Sequence, residues 1–269
     1  MTKNILLTET QKMEDMTDEY ISPEQVKEGF KRCHTVVNRL LKDAELLMKN
    51  GRYSSSVSLA ILAYEEVSKA NDLRLKAKEG NGLTQANWSK MSFGRYAHDT
   101  KLSGIVDARQ NRLERFNQGQ ADFLNLVTKK MGFTGYGDLQ TSRNENMLLQ
   151  KIFPKLNLVK QDCFYLNWDE KGKDWTYFDR RFNEKTKKSI AKFLIITTES
   201  AMLSAKFTMD LPTKPIVQYT DEEWEKIQKS KSCDDLKKFL KYKMSREFTK
   251  ISNEAIIAID SYPEIKKKK

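Results

Sequence analysis

Apolar residues recur every three or four positions through the first part of the chain, which is the spacing of one face of an α-helix. The pattern begins after Ser22, which suits a helix N-cap; Pro23 suits the first turn, and Gln25 can complete a capping box. The pattern ends at Asn50 and Gly51, a pair suited to ending a helix with a residue in the left-handed backbone conformation. We therefore predict a long amphipathic helix between these signals. Its apolar face consists of Val26, Phe30, Cys33, Val37, Leu40, Leu41, Ala44 and Leu47.

A second helix is predicted directly after the first and extends to about Lys78. Its middle, Val57 to Tyr64, is almost wholly apolar and contains no Gly or Pro. A helix that is apolar on most sides is normally buried among other helices. The connection Gly51–Ser54 is short, so the second helix must run back antiparallel to the first. The fold class predicted is mainly α, a helical bundle built on a long antiparallel helical hairpin.

The middle of the chain predicts further helices and one small β-hairpin. A third helical segment is expected to start at Thr84. Aromatic runs at 164–168 and 175–178 flank a polar loop and predict the hairpin. Their rings either cover the side of the bundle or stack on nucleobases. Asn183 is expected to cap a helix that runs to about Met209.

Breaks in the pattern predict three regions: a loose arm at 1–21, a helical domain at 22–210 and a helical extension at 211–269. The boundary between the last two is placed at Leu211–Pro215, which contains two prolines. Within the extension, Thr220 is expected to cap a short helix, and a further helix is expected from Asp234 to about Ile256. The chain ends in the run Lys266–Lys269.

The charge balance favours an anionic partner. The chain has 48 lysines and arginines against 37 aspartates and glutamates, a net charge of +11. Such an excess favours RNA, DNA and acidic proteins ahead of membranes. No apolar run is long enough for a membrane span or a signal peptide, so no membrane association is expected. The three cysteines are far apart and form no disulfide or metal pattern, which indicates a reducing compartment, the cytoplasm.

Charged residues come directly after the apolar centre of the second helix, at Glu65, Glu66 and Lys69. Successive helical residues point about 100° apart, so the two carboxylates diverge. Lys69 lies four residues after Glu65 and three after Glu66, so either carboxylate can pair with it. Ionised groups beside a buried segment are costly unless paired. They indicate either a functional site or a structural ion pair.

A second cluster of titratable groups surrounds His98. On a helix, Arg95 and Lys101 lie one turn before and after it and can share its face. These cations, with Glu65 and Glu66 opposite them, would suit metal-independent RNA cleavage. His98 would transfer protons, Glu65 or Glu66 would orient or assist it, and the cations would contact the phosphate. No cofactor is expected, and a metal site that adds Asp99 to the glutamates and His98 is the weaker alternative.

Three segments together resemble the AbiV family of abortive-infection proteins: Asn38–Met48, Gly51–Lys69 and His98–Lys101. The aromatic run at 164–168 and the helix after it follow these three segments in the same order as in that family. The resemblance covers roughly 22–209. It implies an all-α bundle similar to HEPN-type domains, a role in bacterial defence against phages, and arrest of growth or translation. It also implies a homodimer with the active cleft at the dimer interface.

Many HEPN-type proteins are metal-independent ribonucleases in which an arginine precedes a histidine, with four to six residues between them. Here the nearest arginine before His98 is Arg95, with two residues between them. The candidate catalytic residues are His98, Glu65, Glu66 and Lys101, and the candidate substrate-binding residues are Lys69, Arg95, Arg109 and Arg112. The alternative is a non-catalytic module that binds RNA, a ribosome or a phage protein and blocks translation through a basic surface. A phage-encoded protein is a candidate activator.

Overall fold

The computed structural model of the protein describes residues 20–80, 82–84, 88, 151–169, 173–211, 219–243 and 245–262. These ranges contain eight α-helices, one 3-10 turn at Phe153–Lys155 and two small antiparallel sheets. The helices are α1 (Pro23–Lys49), α2 (Tyr53–Glu79), α3 (Leu156–Phe164), α4 (Phe178–Arg181), α5 (Glu184–Asp210), α6 (Asp221–Gln228), α7 (Lys231–Lys243) and α8 (Arg246–Asp260). The strands are β1 (Tyr20–Ile21), β2 (Leu83–Thr84), β3 (Asn167–Asp169) and β4 (Asp174–Thr176).

The predicted helical hairpin is confirmed as α1 and α2. Ser22 and Gln25 form the capping box: the Ser22 hydroxyl accepts from the Gln25 backbone N–H at 3.3 Å, and the Gln25 side chain accepts from the Ser22 N–H at 2.8 Å. Pro23 occupies the first turn. The chain reverses at Gly51, whose φ of +72° lies in the left-handed region that glycine adopts without strain.

Helix α2 is the centre of the bundle, packed against α1, α3 and α5. Small side chains at Ala60 and Ala63 are fully buried and allow neighbouring helices to approach closely. Hydrogen bonds also cross the interfaces: the Ser56 hydroxyl donates to the Ala44 carbonyl at 2.7 Å, and the Thr198 hydroxyl lies 3.4 Å from the Ala60 carbonyl. The predicted burial of the apolar segment of this helix is confirmed.

Helix α5 begins where the sequence predicts. The Asn183 side chain accepts from the Thr186 backbone N–H at 2.9 Å and so caps the helix. From Ser189 to Thr198 only Lys192 is not buried, because this stretch lies between α1 and α2 on one side and the C-terminal helices on the other.

The helix predicted from Thr84 does not start at that residue, although Trp88 is helical; residues 85–87 and 89–150 lie outside the described ranges. Leu83 and Thr84 form β2, which pairs antiparallel with β1 in the register Tyr20↔Thr84 and Ile21↔Leu83. The Gly82 backbone N–H also donates to the Tyr20 hydroxyl at 3.1 Å. The partner strand lies more than sixty residues earlier in the chain, so local periodicity could not indicate this pairing.

The predicted β-hairpin is confirmed as β3 and β4, with Trp168 opposite Trp175. The strands are shorter than the aromatic runs, because Phe164 ends α3 and Phe178 begins α4. Lys173, just before β4, has a φ of +48°, which is uncommon for a residue with a side chain.

The C-terminal segment contains three helices. Thr220 and Glu223 form a capping box at the start of α6, as predicted. The single helix expected from Asp234 to Ile256 is instead two helices, because Ser245 caps a new one. Helix α8 packs on α5 and places Phe248 and Ile259 in the same core as α1 and α2. A second apolar cluster joins α6 and α7 to the end of α5: Phe207, Tyr219, Trp224, Ile227, Cys233 and Leu236.

Candidate functional site

The structure places the acidic candidates on the core side of the bundle. Glu65, Glu66 and Lys69 lie in the middle of α2, as predicted. The candidates His98, Lys101, Arg95, Arg109 and Arg112 lie outside the described residues. The described part of the candidate site therefore consists of α2 and the helices packed against it.

Glu65 is ion-paired with Lys160 on α3. The Lys160 Nζ lies 2.5 Å from Glu65 Oε1, and the two side chains are only 10% and 5% exposed. Removing either charge from water is costly, so each of these groups depends on the other for its stability in the core. The pair joins the centre of α2 to α3.

Tyr64, the residue before Glu65, also joins α2 to the segment that leads into α3. The Tyr64 ring is nearly fully buried and stacks on Phe153, with ring centroids 4.6 Å apart and an angle of 13° between the ring planes. Phe153 belongs to the 3-10 turn that leads into α3. The stacked rings and the Glu65–Lys160 pair thus hold the 153–160 segment against α2 at two adjacent positions.

Glu66 has a different partner. Its Oε1 lies 2.5 Å from the Lys69 Nζ, one helical turn later, and both side chains are about one-fifth exposed. The Glu66 and Lys69 charges both act on the Cys33 thiol of α1, so this pair lies towards α1. The prediction that the two glutamates diverge is confirmed: Glu65 meets α3, and Glu66 lies on the side towards α1.

The two carboxylates lie in different environments. Glu65 is buried and paired with the Lys160 ammonium. Glu66 and Lys69 keep partial access to solvent, so they can still exchange partners with a charged ligand.

Sequence reasoning missed Lys160, which lies 95 residues after Glu65. A signal was nevertheless present. Leu156, Val159, Lys160 and Cys163 have the spacing of one apolar helical face. A lysine on that face indicates a buried cation, and a buried cation requires a carboxylate partner.

The described residues contain no group of three or more His, Cys, Asp or Glu side chains that could hold a metal ion. The alternative metal site also requires His98 and Asp99, which lie outside the described ranges. In the same ranges, no helix combines the length and apolarity needed to cross a membrane.

His34, on α1, is half-buried and contacts the Asn38 side-chain amide at 3.3 Å. Burial, with a smaller contribution from the Lys206 ammonium, lowers the pKa of this imidazole. The neutral form is therefore favoured near neutral pH, which agrees with a structural role.

The Cys33 thiol is expected to resist alkylation in the folded protein. Burial, reinforced by the Glu66 charge, raises its pKa from 9.0 to about 11. The folded state therefore holds the proton at pH values where the unfolded chain loses it. The thiol's contribution to stability is complete below pH 9.0 and is lost as the pH rises towards about 11. Iodoacetamide labelling followed by peptide mass spectrometry checks this, with the urea-unfolded protein as control. Equal labelling rates in both states would contradict the burial.

Comparison with known proteins identifies the family. The family model HEPN_AbiV, described as AbiV, matches residues 25–200, about two thirds of the chain. The matched region contains all but the first two residues of α1, all of α2–α4, most of α5 and both charge pairs of α2. No curated protein and no solved structure matches the chain. The mostly helical bundle built on a long helix pair is consistent with a HEPN-like domain. The chain therefore belongs to the AbiV family of HEPN-type abortive-infection proteins.

Proposed function

We propose that this protein is an abortive-infection effector that arrests growth and translation in phage-infected bacteria by acting on RNA as a homodimer. The family match over residues 25–200 carries the proposal. The net charge of +11 supports a polyanionic target. The homodimer is proposed by analogy with the family.

The chemistry proposed is metal-independent cleavage of RNA. A base removes the proton of a ribose 2′-hydroxyl, the resulting oxygen attacks the adjacent phosphorus, and an acid protonates the departing 5′-oxygen. His98 is the proposed proton-transfer group, and Glu65 or Glu66 orients or assists it. Lys101 stabilises the charge that develops on the phosphate. The RNA backbone would be bound by Lys69, Arg95, Arg109 and Arg112.

One observation favours a second candidate function. The Glu65 carboxylate is buried and held by Lys160, and Glu66 is paired with Lys69. Pairs of this kind fit a role in fixing the position of α2. The protein would then block translation as a non-catalytic module that binds RNA, a ribosome or a phage protein through its basic surface.

Exchange of His98 for alanine separates the two functions. Wild type, His98→Ala and the matched control His34→Ala are induced in bacteria, and total RNA is examined on gels alongside metabolic labelling of protein synthesis. The proposed ribonuclease gives arrest and discrete RNA fragments in wild type and in His34→Ala, and neither in His98→Ala. Circular dichroism of the purified variants verifies that each is folded.

Arrest with intact RNA in all three strains would contradict cleavage and favour the binding module. If uninfected cells grow normally, the same strains are compared during phage infection, because a phage-encoded activator is then required. Normal growth and unrestricted phage production in every strain would contradict the defence role.

A further inference from the structure

Four large apolar side chains are exposed together at the base of the β3–β4 hairpin. Phe164, Tyr165, Leu166 and Tyr177 are 55%, 65%, 57% and 42% exposed, and we call them the aromatic patch. The other strongly exposed large apolar side chains of the described ranges lie on β1, α1, α2 and α8, one on each. A contiguous exposed apolar surface marks an interaction site more often than single residues do.

The strand register brings the four residues together. Asn167 pairs with Thr176, so the preceding Leu166 and the following Tyr177 flank the same end of the hairpin. Phe164 and Tyr165 contact each other edge to face, with ring centroids 6.3 Å apart. The patch is therefore one surface at the open end of the hairpin, made from the residues before β3 and the residue after β4.

The patch is mounted on a fixed base. Phe178, directly after Tyr177, is fully buried. Arg181 on α4 joins Asp162 on α3, with Nε 3.1 Å from Oδ2, and its guanidinium lies 4.7 Å from the centre of the Tyr262 ring. These contacts hold the segments before β3 and after β4 to the bundle. Binding of a ligand to the rings would therefore not carry a large cost in ordering entropy.

The border of the patch carries exposed cations. Arg180 lies three residues after Tyr177, and Lys173 lies at the other end of strand β4, about 13 Å from Tyr177 at the usual rise of an extended strand. The adjoining helices also carry two carboxylates that have cationic partners. Asp162 is paired with Arg181, and Asp179 accepts from Ser54 and lies 3.4 Å from the Lys187 Nζ.

We propose that the aromatic patch is a docking surface for single-stranded RNA. Bases would stack on Phe164, Tyr165 and Tyr177, while Arg180 and Lys173 would meet the phosphates. Exposed rings bordered by cations are the combination that binds single strands, because every unpaired base offers a face for stacking. A purely apolar protein partner would not require the flanking positive charge. This inference rests on the proposed action on RNA and deepens it by assigning a binding surface outside the candidate catalytic residues.

Fluorescence anisotropy with a labelled twelve-nucleotide RNA tests the assignment. The full-length protein is compared with Tyr165→Ser, Tyr177→Ser and Arg180→Glu, and with the control Ile257→Ser, which alters an apolar residue 72% exposed on α8. Each tyrosine change is expected to weaken binding roughly 5- to 100-fold, the range for loss of one stacked base. Arg180→Glu is expected to weaken binding and to reduce its salt dependence. The control is expected to bind as wild type does.

Three arms of the experiment separate this proposal from its alternatives. The matching RNA duplex is expected to bind more weakly than the single strand, and equal affinity would overturn the stacking model. Single-stranded DNA of the same sequence shows whether the 2′-hydroxyl contributes: a preference for RNA supports the RNA assignment, and a preference for DNA overturns it. Sedimentation velocity of the tyrosine variants gives the third arm, because loss of self-association with unchanged RNA affinity would identify the patch as a contact between copies of the chain.

The two proposals can fail separately. If wild type arrests translation and the tyrosine variants bind single-stranded RNA with unchanged affinity, the patch assignment is wrong and the proposed function stands. If wild type neither arrests translation during infection nor binds RNA, the proposed function itself is wrong.

Discussion

Exchange of Lys160 for methionine is expected to lower the free energy of unfolding by about 3–5 kcal/mol, the usual result of breaking a buried ion pair from one side. Methionine keeps the apolar stem of the lysine but leaves the Glu65 carboxylate buried without this cation. Urea denaturation followed by circular dichroism measures the change. A loss of this size is a large fraction of the stability of a typical domain.

Two controls make this measurement specific. Lys229→Met breaks the exposed pair with Glu225, whose side chains are 74% and 63% exposed, and should cost less than about 1 kcal/mol. The double variant Glu65→Leu/Lys160→Met should recover much of the loss, because an apolar pair needs no counter-charge. If Lys160→Met were as mild as Lys229→Met, the Lys160 ammonium would not be the main support of the buried Glu65 carboxylate.

Exchange of Ile259 for alanine is expected to cost about 2–5 kcal/mol, because Ile259 is fully buried in the main core and the change leaves a cavity. Ile257, two residues earlier on α8, is 72% exposed, and its exchange for alanine should change stability by less than about 0.5 kcal/mol. Thermal unfolding of the two variants beside wild type measures both effects. Equal small effects would show that α8 does not belong to the core that contains α2.

The elements predicted from the sequence are those set by local chemistry. Ser22, Asn183 and Thr220 each accept a hydrogen bond from a backbone N–H three residues later, so the start of a helix can be recognised within a few positions. The turn at Gly51 is equally local, since one glycine in the left-handed region ends a helix. The helical hairpin followed from these signals and from the apolar periodicity between them.

The features that were missed depend on residues far apart in the chain. Thr84 lies in a strand because Tyr20 pairs with it, and no property of the 84–90 segment alone indicates this. The break between α7 and α8 is a different case. Ser245 is an ordinary capping residue, but the apolar spacing on its two sides masked it.

The candidate site likewise combines a contact that is local in the sequence with one between distant segments. The contact between Glu66 and Lys69 was within reach of the sequence, because residues three apart on a helix are neighbours. The contact between Glu65 and Lys160 required knowing that α3 packs on α2. The grouping of these residues with His98 and Lys101 stays a prediction.

The position of α8 has a consequence for synthesis of the protein. Residues 248–262 complete the core around α5, and they leave the ribosome after every other part of that core. Until then, the buried face of α5 lacks the cover that Phe248 and Ile259 provide. A nascent or prematurely terminated chain would therefore lack the packed bundle that holds α2 in place. Assembly of the core in this way waits for synthesis of residues 248–262, so a chain that stops before them would lack part of the packing around α5.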